Sequence, residues 1–171
     1  MQIIERTGMK TRQMANSPFK QIGIETGKGK YHEEIVYGIG LVYISMIHRI
    51  SAYLKDYDLT PTDLNVLMLV KHQGKDHGIS QVDLGQKLMV TAHNMTRAIQ
   101  RLEKKGLLKR VSYKKDARVN LVSISPKGSK LLDDVWPEYN QMMRDFANAL
   151  SVDEQKALAG LLQKWLNNKG A

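Results

Sequence analysis

Between residues 90 and 118 the chain carries Arg97, Arg101, Lys104, Lys105, Lys109, Arg110, Lys114, Lys115 and Arg118, and only Glu103 and Asp116 oppose them. Such a run supplies ion pairs and hydrogen-bond donors; it holds no nucleophile and no acid–base pair. Interleaved with the cations are His93, Asn94 and Gln100, side chains that donate and accept and so match the edges of nucleobases. The chemistry on offer is recognition of a phosphate backbone together with its bases. A solvated basic helix face has a similar composition. The density of the charge, spread over two successive segments, favours nucleic acid.

The rest of the chain narrows the classes further. There is no Cys, which excludes disulfides, thiolate metal sites and cysteine redox sensing. His32, His72, His77 and His93 show no metal-ligand spacing, so no metal and no cofactor are expected. No phosphate-cradling glycine loop, nucleophile elbow or paired metal motif is present, and the reading is a protein that is not an enzyme. Over 171 residues, 26 Lys and Arg face 17 Asp and Glu, a formal charge of +9 that favours polyanionic partners. A composition 42% hydrophobic and 25% charged is that of a folded globular chain. The N-terminus has no signal-peptide pattern, so a cytoplasmic location is expected. The charge-free run Ile35 to Ile47 falls short of the ~18 apolar residues of a membrane span; it reads as a covered helix, with no membrane partner.

The elements that position the cations follow from periodicity and caps. Thr60-Pro61-Thr62-Asp63 opens a helix running to about Gln73, Ser80 with Asp83 caps a short second one, and Thr91 caps a third that ends at Gly106. Leu107 to Val111 and Val119 to Ser125 then read as two strands joined by a polar tip. The expected architecture is mainly α with a small β-hairpin wing, a winged helix-turn-helix at 59–125. A basic arm at 1–30 and a helix at 31–58 precede it, and helices at 126–171 follow. Pro137 is expected to kink the first of these, and Ser151 with Glu154 to cap the second. The helix from Glu33 to Tyr57 is apolar on all sides and must be covered. A second copy of the chain is the expected cover, so a homodimer built by the terminal helices is inferred.

In the third helix Met95, Ala98, Ile99 and Leu102 form a core stripe at i, i+3, i+4 and i+7, which turns His93, Asn94, Arg97, Gln100, Arg101 and Lys104 outward. Asn94 and Arg97, in the first two turns, are assigned to bases; Arg101 and Lys104 are assigned to phosphates. Thr91 and the free N–H groups of the first turn can hold a phosphate, and Ser80 and Gln81 join the DNA-facing set from the preceding helix. Lys114, Lys115 and Arg118 of the wing can straddle the backbone and enter the minor groove, with Asp116 pairing an Arg to hold the wing. The function read from these residues is sequence-specific binding of double-stranded DNA; a role as a transcriptional regulator follows from the resemblance below. The alternative is a winged module for protein or RNA without duplex DNA specificity, favoured if duplex binding is weak and insensitive to salt.

The stretch Asn94 to Arg110, then Asp116-Ala117-Arg118, then Leu121 to Gly128, resembles the MarR family of bacterial transcriptional regulators. The shared pattern is Leu102-Glu103-Lys104-Lys105-Gly106-Leu107, the Asp-x-Arg wing and the helix start at Ile124-Ser125-Pro126-Lys127-Gly128. The likeness runs from about residue 31 to the end. Ala117 stands where the family usually has a second basic residue, and Ser125 stands where it has Thr. The resemblance implies a homodimer on a near-palindromic operator, with Arg118 at the wing tip in the minor groove. It also implies a repressor released by a small aromatic acid bound between the dimer region and the winged domain. On that expectation His48 and Arg49 grip a carboxylate, and Tyr43 or Tyr53 stacks beside it.

Overall fold

The computed structural model describes residues 17–74, 77–112 and 120–168. The chain divides into two compact units between Arg49 and Ile50. In the first, a short helix α1 (Pro18–Gln21) precedes the long helix α2 (Tyr31–Leu54), whose last residues, from Ile50, belong to the second. The ring of Phe19 lies against α2 at Gly38, where a Cβ would stand 3.1 Å from Phe19 Cζ. The Gly27 N–H donates to Glu34 Oε1 at 2.9 Å. The described part of the expected N-terminal arm is thus docked on α2 by one ring and one carboxylate.

Ile35, Val36, Ile39, Val42, Tyr43 and Ile44 of α2 are all exposed in the protomer. Among the described residues nothing covers this face. With the 3-10 turn Lys55–Tyr57 the helix is long and apolar enough to cross a bilayer, by length and composition, so the shortness of its charge-free run does not decide the matter. What argues against a span is the far end: Ile50 and Leu54 are buried in the core of the second unit.

In that unit, α3 (Pro61–Gly74), α4 (Gln81–Leu88) and α5 (Ala92–Lys104) pack against a small antiparallel sheet, and α6 (Pro126–Ala147) and α7 (Val152–Asn167) follow. The hairpin is present as β2 (Leu108–Ser112) and β3 (Asn120–Ile124), in register from Leu108 opposite Ile124 to Ser112 opposite Asn120. A third strand that the sequence reading lacks, β1 (Ile79–Ser80), pairs Ile79 with Val122 and Ser80 with Leu121, giving the order β1-β3-β2. Two residues carry no period, which is why β1 escapes a pattern search. Gly78 admits it: its φ is +78°, and a Cβ there would stand 2.9 Å from the Val122 carbonyl oxygen.

Leu64, Val66, Leu67 and Val70 of α3, Leu84 of α4, Met95, Ile99 and Leu102 of α5, Val122 of β3 and Val135 of α6 are closed to solvent. Each such side chain contributes roughly 1.5–3 kcal/mol of burial. The i, i+3, i+4, i+7 stripe expected on α5 is therefore the stripe that is buried, and this fixes which face α5 turns outward. Helix α6 continues across Pro137; that residue brings no N–H to the carbonyl four residues earlier. Helix α7 opens with the expected reciprocal cap: Ser151 N–H and Oγ donate to Glu154 Oε2 at 2.8 and 2.7 Å. Those hydroxyl and amide donors hold the Glu154 carboxyl below its ordinary range.

Candidate nucleic-acid interface

Helices α4 and α5 and the turn between them carry the candidate surface. The turn closes on Met89 with φ +50°, and Thr91 caps α5, its Oγ1 accepting from the Asn94 N–H at 3.4 Å. With the apolar stripe inward, His93, Arg97, Gln100 and Lys104 form an exposed ridge at i, i+4, i+7 and i+11, flanked by exposed Thr91 and Asn94. A ridge of this composition meets both requirements of duplex recognition: donors for phosphates and two-way groups for base edges.

Local ion pairs sort the cations. Arg97, Lys104 and Lys109 have no acidic partner among the described residues, and all three are exposed. The other described cations of this stretch are spoken for. Lys105 bonds Asp58 through the backbone carbonyl and, at 2.8 Å, the carboxylate. Arg110 pairs with Glu103 at 3.0 Å. Arg101, assigned to phosphate from its place on the helix, instead turns sideways: its Nη2 and Nε donate to Asp63 Oδ1 and Oδ2 at 2.6 and 3.1 Å. A fork that fits a carboxylate at both oxygens is a strong and directional bond. The structure therefore gives Arg101 an intramolecular partner that helical spacing alone does not disclose.

The remaining candidates divide as follows. Ser80 is occupied by capping: its Oγ donates to Asp83 Oδ2 at 2.6 Å and accepts the Asp83 N–H at 3.0 Å. That sets it apart from the phosphate donors and places a carboxylate beside it. Gln81 reaches across to α5, its Nε2 donating to Thr96 Oγ1. Lys114, Lys115 and Arg118, and the Asp116 pairing, lie outside the described residues. Lys109, outside the expected set, joins Arg97 and Lys104 as an exposed cation, while its neighbour Arg110 is paired.

Of the residues expected to grip an aromatic acid, Tyr43, His48 and Arg49 belong to the first unit and are exposed, and Tyr53 belongs to the second. The Tyr53 hydroxyl donates to the Val135 carbonyl at 2.9 Å, and its ring meets Tyr57 edge-on at 5.3 Å. Burial, aided by the Tyr57 hydroxyl, pushes the Tyr53 phenol well above its ordinary range. A cleft of about 190 Å³ between α3 and α6 is lined by Met68, Lys71, His72, Leu132, Asp133 and Trp136, none of them from that set. Among the described residues no cluster of three or more His, Asp or Glu side chains could hold a metal.

Residues 57–119, from the corner before α3 to just short of β3, match the sequence model of the MarR family. The HTH-type transcriptional regulator YkoM of Bacillus subtilis (strain 168), itself uncharacterized, is 32% identical over 110 residues, 64% of this chain and 70% of that one. The HTH-type transcriptional regulator MhqR of the same organism is 29% identical over 122 residues, 71% of this chain and 82% of its own. In structure, a mutant MarR from E. coli complexed with operator DNA matches with a TM-score of 0.70 at 23% identity, over 88% of this chain and 99% of that one. The mainly helical fold with its three-stranded wing, the caps that set α3 to α5 and the match through the recognition segment agree: the chain belongs to the MarR family of HTH-type, DNA-binding transcriptional regulators.

Proposed function

We propose that the chain acts as a homodimeric repressor in the cytoplasm. Each protomer seats α5 in one of two consecutive major grooves, about one helical turn apart, on a near-palindromic operator. The observation that carries this reading is the sorting of charge: neighbouring cations are neutralised internally, while Arg97, Lys104 and Lys109 stay exposed and unpaired around a ridge of His93, Asn94 and Gln100. In this reading Arg97 and Asn94 meet bases, and Lys104, Lys109 and the first turn after Thr91 meet phosphates. The wing cations Lys114, Lys115 and Arg118 add the minor-groove contact. A small aromatic acid held by His48 and Arg49 beside Tyr43 is the proposed release signal, Tyr53 being engaged elsewhere.

Titrating the protein into duplexes at several salt concentrations tests the assignment. Arg97→Ala is expected to cost ~1–3 kcal/mol on the preferred site and to relax its base preference; Lys104→Ala is expected to weaken all sequences alike and to flatten the salt slope by about one. Wild-type binding that ignores salt would favour the protein- or RNA-binding alternative, because phosphate neutralisation releases counterions. Repeating the titration with a small aromatic acid present tests the release signal, and undiminished affinity would remove it.

The second copy is proposed as the cover for α2 and α7. No residue of α7 is buried in the protomer, and Leu161 and Trp165 stand 65% and 45% exposed. Apolar faces of this extent on a protomer mark contact sites. Leu161→Glu is expected to convert the dimer to a monomer in sedimentation and to abolish operator binding at concentrations where wild type saturates. A dimer of undiminished affinity would place the interface elsewhere.

A further inference from the structure

Gln81 is the first residue of α4, yet its side chain leaves its own helix and donates from Nε2 to Thr96 Oγ1 on the second turn of α5. The Thr96 hydroxyl in turn donates to the Ala92 carbonyl at 2.8 Å. One proton and one accepted bond fix that hydroxyl in a single orientation, so Thr96 is an oriented acceptor and not a free rotor. Thr96 sits between the buried stripe of Met95 and Ile99 and the exposed ridge of His93 and Gln100. The bond therefore draws the Gln81 amide to the margin of the ridge that faces outward.

What the amide has left decides its use. Among the described residues its carbonyl oxygen and second N–H take no partner. An acceptor and a donor side by side in one plane are the pair that matches N6–H and N7 of adenine in the major groove. A Gln tethered at one N–H also has fewer rotamers to lose on binding than a free one.

We propose that Gln81 reads an adenine at the edge of each half-site and that Thr96 is its positioning residue. The inference rests on the reading that α5 enters a duplex. It adds a specificity contact from the other helix of the pair and a residue, Thr96, that touches no DNA but sets base preference through Gln81.

The test is selection from a randomised duplex library by the wild type and by Gln81→Ala, Thr96→Val and Thr96→Ser, with preference scored position by position. Wild type is expected to favour adenine at one outer position of each half-site by about 5- to 150-fold. Gln81→Ala and Thr96→Val should both flatten that position and leave the others; Thr96→Ser, which keeps the hydroxyl, should retain it. The double variant should lose no more than Gln81→Ala alone. Thermal unfolding of each variant, with the Ser variant as reference, separates lost folding from lost reading. An unchanged profile for Thr96→Val, or a loss that is equal on all sequences, overturns this inference while leaving duplex binding intact. Failure of wild type to select any duplex overturns the DNA reading, and this inference with it.

Discussion

Gly128→Ala is expected to unfold the winged domain, or to leave it ~4 kcal/mol or more less stable, a loss outside the usual range for one methyl group. Gly128 lies in the first turn of α6, where exchanging Gly for Ala ordinarily gains about 0.5–1 kcal/mol. Here the sign reverses. A Cβ at 128 would stand 2.2 Å from the Leu107 carbonyl oxygen and 3.0 Å from its carbonyl carbon. The obstacle is backbone, so no rotamer relieves it. Nor can that backbone retreat: Leu107 N–H donates to the Leu102 carbonyl at 2.9 Å, and its carbonyl accepts the Ser125 N–H at 3.0 Å. Ser125 Oγ adds a bond to the Gly106 carbonyl at 2.7 Å, and Lys127 Nζ reaches the Lys105 carbonyl at 2.8 Å. The start of α6 is thus stitched to the residues that follow α5. Urea denaturation followed by far-UV circular dichroism reads the effect, with Gly160→Ala as the contrast, since a Cβ at Gly160 meets nothing within 4 Å in the protomer. A Gly128→Ala protein as stable as wild type would show that this junction is looser than the geometry states.

How much of this was legible beforehand depends on the range of each interaction. Thr91, Ser125 and Ser151 were readable as caps because a cap bonds three residues ahead, inside one turn. The inward face of α5 was readable because Met95, Ala98, Ile99 and Leu102 recur at the helical period, and that face fixed the outward ridge. The motif Ile124 to Gly128 was visible as a helix start, but the reason for its glycine was not, because Leu107 approaches from another element. The same limit explains the remaining differences. Ser80 and Gln81 stand side by side at the head of α4, yet one is consumed by Asp83 within its own turn and the other crosses to Thr96. Strand β1 exists only because Gly78 lets the chain close on β3. For α2 the all-round apolar pattern was legible as a helix that needs a cover, but not what covers it.

Arg101 is where a pattern argument and a distance lead to different experiments. By position it belongs with Lys104 as a phosphate donor; by geometry it closes a polar hub beneath the ridge. Asp63 is the centre of that hub, with its side chain 1% exposed against 40% for Arg101. Asp63 Oδ2 accepts the Thr60 N–H at 2.9 Å and the Thr60 hydroxyl at 2.8 Å, so one carboxylate both caps α3 and anchors α5. The two ends of the pair are not equivalent. Removing Arg101 leaves a buried carboxylate short of two donors, a loss of the kind that costs about 3–5 kcal/mol. Removing Asp63 leaves a guanidinium that water can still reach, so its share of the pair is discounted, but the cap is lost as well, roughly 0.5–2 kcal/mol. Arg101→Ala is accordingly expected to cost ~3 kcal/mol in urea denaturation. Arg101→Lys should rescue little of that, because a point ammonium cannot span both oxygens. A double-mutant cycle with Asp63→Ala should return a coupling of about 0.5–3 kcal/mol. The salt slope of duplex binding decides between the two roles. If Arg101 serves the fold, the folded fraction of Arg101→Ala keeps the wild-type slope. A protein of normal stability whose slope falls by about one would restore it to the phosphate set.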